Sequence, residues 1–463
     1  MKKIQCKNGT AHQSMCCFRL FFLFILFIVI CIIPIVLAQE KTSMSDKEQN
    51  ELVKAVCEKI QQLYPFPEIG KRTVEGLLKN LNQGKYRKST DPGIFALNVT
   101  RDLDNLSHDK HLVLLYNPKM AAQMLNPDKK EEEISLAALE AEDERWNNYG
   151  FKELKILEGN IGYMVLSIFF STQYAGETAV TAMNYFSNCH ALIIDLRKNG
   201  GGWDDMVTLL SSYFFDAEDN VVFNISHSTL DHSYFASMTS VYVPGKKLSG
   251  IPLYILTSPS TASAAEAFTH IHKHLNHNAT IIGEKTRGAE NPVDHLAINH
   301  KFILRIPCWE KIYSFTDSRW EGEGIEPDIK VDADKALQVA HLDAIKKLQK
   351  ETTDDAAKMK YQWALDGLNA RNNPVSVDKN LLQSYTGTYH NRIISFKNEE
   401  LYYQAGRRAK SRMIPISDTY FILESYDYFR IRFKKKEGEV ISLEELFTNG
   451  RTIEIKKIKS EVN

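Results

Sequence analysis

The sequence predicts an α/β core with a helical domain before it and an antiparallel β domain after it. Three patterns support this prediction: helical periodicity over residues 45–110, apolar strands alternating with helical segments over 161–331, and short alternating strands over 377–463. The predicted segments are a leader (1–39), a helical N-terminal domain (45–150), an α/β core (151–335), a helical connector (336–374) and a C-terminal β-barrel or sandwich (375–463).

The leader contains an uncharged apolar run of 19 residues, from Leu20 to Ala38, preceded by four basic residues. Such a run is either a signal peptide, with Val36-x-Ala38 as a cleavage site, or an uncleaved transmembrane anchor. The basic flank holds the N-terminus in the cytoplasm in both cases. We therefore expect the rest of the chain outside the cytoplasm, either periplasmic, secreted or tethered to the membrane through residues 20–38.

Composition narrows the class of protein. With 463 residues, 43% of them hydrophobic, the chain can build several packed cores, and its formal net charge of −1 gives no electrostatic reason to expect nucleic acid as a partner. Only Cys57, Cys189 and Cys308 lie outside the leader, so no disulfide framework is indicated. The last two adjoin apolar runs and are predicted to be core thiols.

Helices are predicted for the N-terminal domain. Ser45-x-x-Glu48 is a capping-box pattern, and the apolar residues from Leu52 to Leu63 fall on one helical face. The segment 64–67, Tyr-Pro-Phe-Pro, ends this helix, and another begins near Val74. Residues 117–148 are charged and helix-prone, which is typical of a solvated face.

A serine lies where a strand gives way to a helix. The apolar run from Leu253 to Leu256 stops at a small polar turn, and a helical pattern begins near Ala262. The N–H groups and positive dipole at a helix N-terminus favour an alkoxide and a neighbouring oxyanion. Ser263 is therefore a candidate nucleophile. The alternative is that Ser260, Thr261 and Ser263 only cap the helix.

A triple glycine, Gly200 to Gly202, follows a second apolar strand, Ala191 to Leu196, and precedes a helical run over 204–215. Glycines at such a junction permit positive φ and close approach of the backbone to another group. The phosphate-binding motifs GxxxxGK[ST] and GxGxxG are not present. Backbone N–H donors for an oxyanion therefore fit the pattern better than a phosphate loop, with a plain turn as the alternative.

Four sequence blocks stand out in order along the chain: Asp195-Leu-Arg-x-Asn199-Gly-Gly-Gly202, Thr261-Ala-Ser263-Ala-Ala-Glu266, Gly283-Glu-x-Thr286-x-Gly288 and Trp320-Glu-Gly-x-Gly324-Ile-x-Pro327-Asp328. In type and order they resemble the motifs of the S41 serine peptidases, a superfamily that includes tail-specific proteases, tricorn core proteases and the repeats of interphotoreceptor retinoid-binding protein. The resemblance covers residues 45–335.

The resemblance implies a ClpP/crotonase-like core that hydrolyses peptide bonds in proteins or peptides. Ser263 falls on the family nucleophile. The oxyanion hole falls on the N–H of Ala264 and on that of Gly200 or Gly201. No metal or organic cofactor is implied, and about 50 residues between His111 and Ile161 are too few for the PDZ module of tail-specific members.

The general base is where this sequence departs from the tail-specific branch, because Gly288 is followed by Ala289 instead of lysine. The tricorn-like branch uses an upstream histidine and a glutamate, and the resemblance places these roles on His111 and Glu321. A neutral imidazole takes the serine proton and returns it to the leaving amine, while the carboxylate orients the ring.

Alternatives to this site remain open. His108 competes with His111, Glu323 competes with Glu321, and Lys285 would be the base if its amine lay near Ser263 with a depressed pKa. A carrier of apolar ligands or hydrophobic peptides on the same fold is the alternative function, since retinoid-binding-protein repeats have that role.

Histidines cluster after the candidate nucleophile. Three of them share one helical face, at positions 270, 274 and 277. A metal site there is conceivable, but no carboxylate or cysteine joins them at ligand spacing. An exposed polar helix face is the preferred interpretation.

The C-terminal domain is predicted from short strands around Tyr385–Tyr389, Leu401–Gln404, Tyr420–Leu423, Phe429–Phe433 and Arg451–Ile458, with Asn449-Gly450 as a hairpin signal. Its aromatic residues are interpreted as core and cross-strand packing, with a ligand groove as the alternative.

Overall fold

The computed structural model describes residues 43–125 and 136–458. Its N-terminal part contains helices α1 (Asp46–Leu63), α2 (Pro67–Asn82), α3 (Pro92–Ser107), α4 (Pro118–Met124) and α5 (Leu136–Trp146), and strand β1 (Val113–Tyr116). The predicted capping box is present, because the backbone N–H of Ser45 donates to Glu48 Oε2 at 2.8 Å and the N–H of Glu48 donates to Ser45 Oγ at 3.3 Å. The predicted helical character of this domain is confirmed.

The central sheet has six strands in the order β12-β8-β7-β4-β3-β2. They are β2 (Phe151–Leu157), β3 (Ile161–Leu166), β4 (Ala191–Asp195), β7 (Leu253–Thr257), β8 (Ala279–Gly283) and β12 (Ile329–Lys330). All neighbours are parallel except β2 and β3. Carboxyl ends of parallel neighbours meet at one edge of a sheet. The loops after β4, β7 and β8 therefore converge there.

Helices cover both faces of this sheet. On one face lie α6 (Thr172–Tyr185), α7 (Asp204–Ser212) and α8 (Ala264–Leu275), packed on even-numbered residues of β4 such as Leu192 and Ile194. Helix α7 ends three residues before the predicted boundary at 215. On the opposite face, odd-numbered residues such as Ile193 pack against α9 (Ala336–Glu351) and α10 (Asp355–Asn372). The segment predicted as a connector is thus the second helical layer of the core.

Two small antiparallel sheets flank the core, and the sequence analysis did not predict their strands. One has the order β1-β10-β9, with β9 (Val293–Ala297) and β10 (Phe302–Pro307). The other has the order β11-β5-β6, with β5 (Val222–Ser228), β6 (Tyr234–Met238) and β11 (Trp309–Ile312). Side chains of β10 such as Phe302 and Leu304 share one hydrophobic core with α1–α3. The helical domain is therefore completed by residues from the later part of the chain.

After the short helix α11 (Lys379–Ser384), eight antiparallel strands follow one another in sequential order, from β13 to β20. They are Gly387–Tyr389, Arg392–Lys397, Glu400–Ala405, Ser411–Pro415, Tyr420–Leu423, Tyr426–Lys436, Glu439–Phe447 and Thr452–Lys456. The sheet curls until the N–H of Ile458, after the last strand, donates to Thr388 O in the first at 2.8 Å. The predicted antiparallel β domain is confirmed, and aromatic residues such as Tyr385 and Tyr403 form its core.

All three cysteines outside the leader are free and buried, which confirms the prediction for Cys189 and Cys308. Within residues 43–125 and 136–458, no helix combines the length and the apolar character needed to cross a membrane. The candidate tether at 20–38 lies outside the described residues.

Candidate active site

Ser263 lies in a tight turn between β7 and α8, where its backbone adopts φ 54° and ψ −120°. Positive φ is uncommon for a residue with a Cβ and is held only when its surroundings determine it. Thr261 contributes to that constraint, since its hydroxyl donates to Leu196 O at 2.8 Å and accepts from the N–H of Ser258 at 3.0 Å. The Ser263 side chain is half-buried at the N-terminus of α8.

Asn199 joins the glycine loop after β4 to this turn. Its side-chain amide donates to Leu166 O at 3.0 Å, and its backbone carbonyl accepts the N–H of Ala262 at 3.0 Å. Gly201, at φ 113°, packs so closely that a Cβ there would lie 2.6 Å from the Cβ of Ser263. The glycine is required by this close approach of two backbones.

Two of the three predicted oxyanion donors have free N–H groups. The N–H of Gly201 donates to Asn199 Oδ1 at 2.9 Å and is therefore engaged. Within the described part of the chain, the N–H groups of Gly200 and Ala264 have no acceptor. Backbone N–H groups beside a serine hydroxyl can stabilise a developing oxyanion. Of the two glycines, Gly200 is the one free to act.

Glu266 ties the nucleophile turn to the loop after β8. Its buried carboxylate accepts four hydrogen bonds, from Ser263 N at 2.9 Å, Ala289 N at 2.9 Å, Gly288 N at 2.7 Å and the Thr286 hydroxyl at 2.5 Å. Burial raises the pKa of Glu266, and the four hydrogen bonds oppose this shift. The sequence analysis assigned this glutamate no role, although its Ser-x-x-Glu spacing is a capping-box signal.

The same loop also forms hydrogen bonds with Glu321. The N–H groups of Glu290 and Asn291 donate to Glu321 Oε2 at 2.6 and 3.1 Å. In return, Glu290 Oε2 accepts the N–H of Glu321 at 3.2 Å, and its other oxygen lies 2.5 Å from Arg319 Nε. Residues 288–291 therefore connect Glu266 beside the serine with Glu321.

His111 lies beside Glu321, with 4.0 Å between His111 Nδ1 and Glu321 Oε2. The imidazole is buried, and its Nδ1 has no hydrogen-bond partner within the described residues. Asp109 completes the cluster, because its carboxylate accepts the N–H of His111 at 2.9 Å and the hydroxyl of Tyr64 at 2.8 Å. The predicted base and its predicted orienting carboxylate are thus brought together, although 210 positions separate them.

No hydrogen bond joins the Ser263 hydroxyl to His111 in the described part of the chain. The connection between them runs through Glu266, the 288–291 loop and Glu321. Catalytic hydrogen bonds are often long in a ligand-free site and shorten in the substrate complex.

Burial sets the protonation of the cluster. It lowers the pKa of His111 to about 3, and the charges of Arg305, Arg287 and Lys311 act in the same direction. Burial also raises the pKa of Glu321 to about 8, with repulsion from Asp109 as the next cause. His111 is therefore neutral at pH 7, and the two facing carboxyl groups hold a proton that titrates as a property of the pair.

The alternative residues lie elsewhere. His108 is exposed and closes the C-terminus of α3 in a left-handed conformation, with φ 59°. Lys285 pairs with Glu326 at 3.1 Å and its side chain is 44% exposed. Glu323 is exposed. None of the three joins the cluster of Asp109, His111 and Glu321.

This cluster could also hold a metal ion. One ligand atom from each of Asp109, His111 and Glu321 lies within 4.8 Å of the other two. Asp109 and Asn291, which donates its amide to Asp109 at 3.2 Å, were not among the predicted site residues. Asp109 had a signal in the sequence, two positions before His111, whereas nothing in the sequence marked Asn291.

The histidines of α8 do not form the exposed polar face preferred by the sequence analysis. His270 is buried against Trp320, with ring centroids 4.4 Å apart, and His272 is fully buried against Phe268 at 4.3 Å. His274 and His277 are exposed. The helix turns both its 270 and 272 positions into apolar surroundings because α8 is packed against the core and against the aromatic residues near 313–320.

His272 should make stability depend on pH. Burial lowers its pKa to about 3, so the unfolded chain, with a histidine pKa near 6.5, binds this proton more readily below pH 6.5. Stability is therefore lost as the pH falls from 6.5 towards 3, by roughly 2 kcal/mol at pH 5 for this one residue. His272→Phe should remove that part of the loss. Urea unfolding at pH 7.5 and 5.0 measures it, with His277→Phe as the exposed control; an unchanged pH dependence in His272→Phe would contradict the assignment.

Comparisons with known families agree with the motif blocks. Residues 160–331 match the family model of peptidase family S41, and residues 43–148 match the model of the N-terminal domain of peptidase S41 in eukaryotic IRBP. Together the two matches cover more than half of the chain.

Three solved structures that match part of this chain are named as proteases or peptidases. A putative S41 protease from Bacteroides fragilis is 18% identical, with a TM-score of 0.37 over 48% of this chain and 58% of that one. A putative peptidase from Parabacteroides merdae is 16% identical, with a TM-score of 0.44 over 66% and 98%. A photosystem II D1 C-terminal processing protease is 14% identical, with a TM-score of 0.41 over 63% and 94%. This chain thus matches little more than half the length of the first of these proteins.

Proposed function

This chain belongs to peptidase family S41, and we propose that it hydrolyses peptide bonds with Ser263 as nucleophile, His111 as general base and Glu321 as the carboxylate that orients His111. The substrates are proteins or peptides, the class that the family acts on. The observation that carries the proposal is the 4.0 Å approach of Glu321 to His111, joined through the 288–291 loop to the turn that presents Ser263.

The reaction begins with neutral His111 taking the proton of Ser263 as the hydroxyl attacks the peptide carbonyl. The imidazolium that forms is stabilised by Glu321 once the 4.0 Å separation has shortened to a hydrogen bond, with the proton of the carboxyl pair then carried by Asp109. That contact raises the pKa of His111 from its depressed value and makes it an effective base. His111 then returns the proton to the leaving amine, and water repeats the sequence on the acyl-enzyme.

The oxyanion of the tetrahedral intermediate is bound by the N–H groups of Ala264 and Gly200. The fixed position of these donors is what stabilises the transition state, because the protein need not reorganise as charge develops. Gly201 serves a different purpose. It lets the glycine loop approach the Ser263 backbone without a side chain between them.

Gly201→Ala should therefore damage catalysis. The new Cβ would lie 2.6 Å from Ser263 Cβ on a backbone at φ 113°, so the turn must move. We expect kcat/KM to fall by about 100-fold or more, since a displacement near 1 Å can cost that much. Gly200→Ala is the matched comparison, because its Cβ meets nothing within 4 Å and its N–H is retained. Equal losses in the two variants would contradict this role for Gly201.

The alternative function is a carrier that binds apolar ligands or hydrophobic peptides without turnover. A carrier has no need of a nucleophile, a buried histidine and a carboxylate in one constellation. The decisive test is covalent labelling with a fluorophosphonate probe, followed by peptide mapping. We expect modification of Ser263 in wild type and none in His111→Ala. No labelling of Ser263, together with saturable binding of apolar ligands, would replace the peptidase by the carrier.

We also propose that the chain acts outside the cytoplasm. The support is the apolar run at 20–38 with its basic flank. N-terminal sequencing of the protein from its natural source tests this proposal. A start at Gln39 indicates a removed signal peptide, and an intact leader in the membrane fraction indicates an anchor. An intact leader in the cytoplasmic fraction would refute it.

A further inference from the structure

We propose that Asp109, His111 and Glu321 form a binding site for one Zn²⁺ ion, and that occupation of this site switches the peptidase off. The site itself depends only on the geometry of the three side chains. The switch rests on the function proposed above, because it concerns the same histidine.

The geometry admits a single ion. The three ligand atoms lie within 4.8 Å of one another. An ion at the centre of such a triangle lies at most about 2.8 Å from each corner, while Zn–N and Zn–O bonds are about 2.0–2.2 Å long. Each ligand would have to move by less than about 1 Å, which side-chain rotation can supply. One histidine and two carboxylates make a donor set that Zn²⁺ accepts.

Unpartnered polar atoms concentrate at this point. Within the described residues, His111 Nδ1, Glu321 Oε1 and Asn291 Oδ1 are buried and make no hydrogen bond. A buried polar atom without a partner costs about 1–3 kcal/mol, so three of them together indicate a place where a ligand belongs. His111 is only 8% exposed, and its Nδ1 lies toward Glu321, 4.0 Å away.

The proposed ligands are oriented by hydrogen bonds to neighbouring groups, as metal ligands usually are. Asp109 accepts the Tyr64 hydroxyl at 2.8 Å and the Asn291 amide at 3.2 Å. Glu321 Oε2, the oxygen nearest His111, accepts two backbone N–H groups, and Oε1 makes no hydrogen bond within the described residues. The nearby guanidinium of Arg305 donates to the carbonyls of Lys110 and His111, at 3.1 and 3.0 Å. Solvent reaches the cluster along Glu321, whose side chain is 19% exposed.

Occupation of the site would abolish the base. The active tautomer of His111 carries its proton on Nδ1, facing Glu321, and offers the lone pair of Nε2 to the serine hydroxyl. A Zn²⁺ ion bound to Nδ1 uses the lone pair of that nitrogen, so the ring proton must lie on Nε2. The shared carboxyl proton leaves to solvent, since ligating carboxylates are deprotonated. His111 then has no lone pair with which to accept the Ser263 proton.

Binding is tested on the full-length Ser263→Ala protein, because this substitution removes turnover from the measurement. The protein is first freed of metal with EDTA. We expect one equivalent of Zn²⁺ in calorimetric titration, and a tetrahedral visible spectrum with Co²⁺ as the probe. Crystals soaked in Zn²⁺ should give one anomalous peak between Asp109, His111 and Glu321. No saturable binding, or a peak only at surface histidines, would overturn the proposal.

Isosteric variants assign the ligands. In the same background, Asp109→Asn, His111→Gln and Glu321→Gln should each weaken Zn²⁺ binding by at least 10-fold, and His274→Ala, which removes an exposed histidine, should leave it unchanged. Undiminished binding in all three ligand variants would overturn the proposal. If a variant does not fold, the anomalous peak in the Ser263→Ala crystals still decides the location.

Inhibition is measured separately on the wild-type protein. Peptide hydrolysis should fall by more than 10-fold when Zn²⁺ saturates the site and return after EDTA. Zn²⁺ binding at the cluster without inhibition of an active enzyme would overturn the switch. Zn²⁺ binding by a protein that cleaves no peptide would instead refute the proposed function and leave the metal site standing.

Discussion

Ser263→Ala is expected to lower peptide hydrolysis by roughly 10⁴- to 10⁶-fold, and His111→Ala by a similar factor, because nucleophile and base act as one unit. The loss should appear in kcat, with KM little changed, because both side chains act at the scissile bond and neither binds the more distant parts of the substrate. Turnover of a mixed peptide library identifies a cleaved peptide, and steady-state kinetics on that peptide then give the two constants.

Matched controls make this result specific. Ser260→Ala removes an exposed serine from the same turn, and His108→Ala removes an exposed histidine three positions before His111; both should stay within a few-fold of wild type. Lys285→Ala should do the same, because that amine pairs with Glu326 at 3.1 Å. If His111→Ala remains active while Lys285→Ala or His108→Ala is dead, the general base has been assigned to the wrong residue.

Glu266→Gln is expected to lower both the stability of the protein and its activity. The carboxylate accepts two hydrogen bonds on each oxygen, and an amide replaces one acceptor oxygen by an NH₂ group that faces two donors. Two buried donors left without an acceptor cost about 1–3 kcal/mol each. We therefore expect a loss of about 2–6 kcal/mol in the free energy of unfolding.

The peptidase activity of Glu266→Gln should fall together with its stability. One carboxylate oxygen binds Ser263 N and the other binds Gly288 N, so the amide must release either the nucleophile turn or the loop that leads to Glu321. A loss of about 100-fold in kcat/KM follows from misplacement of that order.

Glu48→Gln is the matched control for stability. Glu48 occupies the same third position of a capping box, at the start of α1, but is exposed. Its replacement should cost about 1 kcal/mol or less. Urea unfolding followed by circular dichroism measures both variants. A cost for Glu266→Gln no larger than that for Glu48→Gln would mean that Glu266 does not hold the site together.

Local sequence patterns were sufficient to predict the elements that are stabilised by residues close together in the sequence. The capping box at Ser45 and Glu48, the strands β4 and β7 and the antiparallel C-terminal domain were predicted because periodicity and turn residues act over short distances. The small sheets were missed for the opposite reason. Strand β10 pairs with β9 on one side and with β1, almost 200 residues earlier, on the other, so the stability of this sheet comes from the helical domain that it completes.

The helical segment 336–374 was predicted as helix but not as a layer of the core. Many of its buried apolar residues are small, such as Ala340 and Ala344, and large ones such as Ile345 are few. A solvent-exposed helical connector would have a similar composition. The packing position of these helices is determined by the face of the central sheet that the first helical layer leaves uncovered, where residues such as Ile193 need a partner.

For the candidate site, the sequence by itself determined the residue types and their order: a serine at a strand-to-helix turn, a triple glycine after the neighbouring strand, and the family resemblance that named His111 and Glu321. The tertiary structure decided which of these groups meet. Parallel neighbours β4 and β7 bring the glycine loop to Ser263, and the 288–291 loop brings Glu321 toward it. Protonation was also decided there, because burial shifts the pKa values of His111 and Glu321. A pKa depends on solvent exclusion and on charges from distant parts of the chain, and neither is a property of a local stretch of sequence.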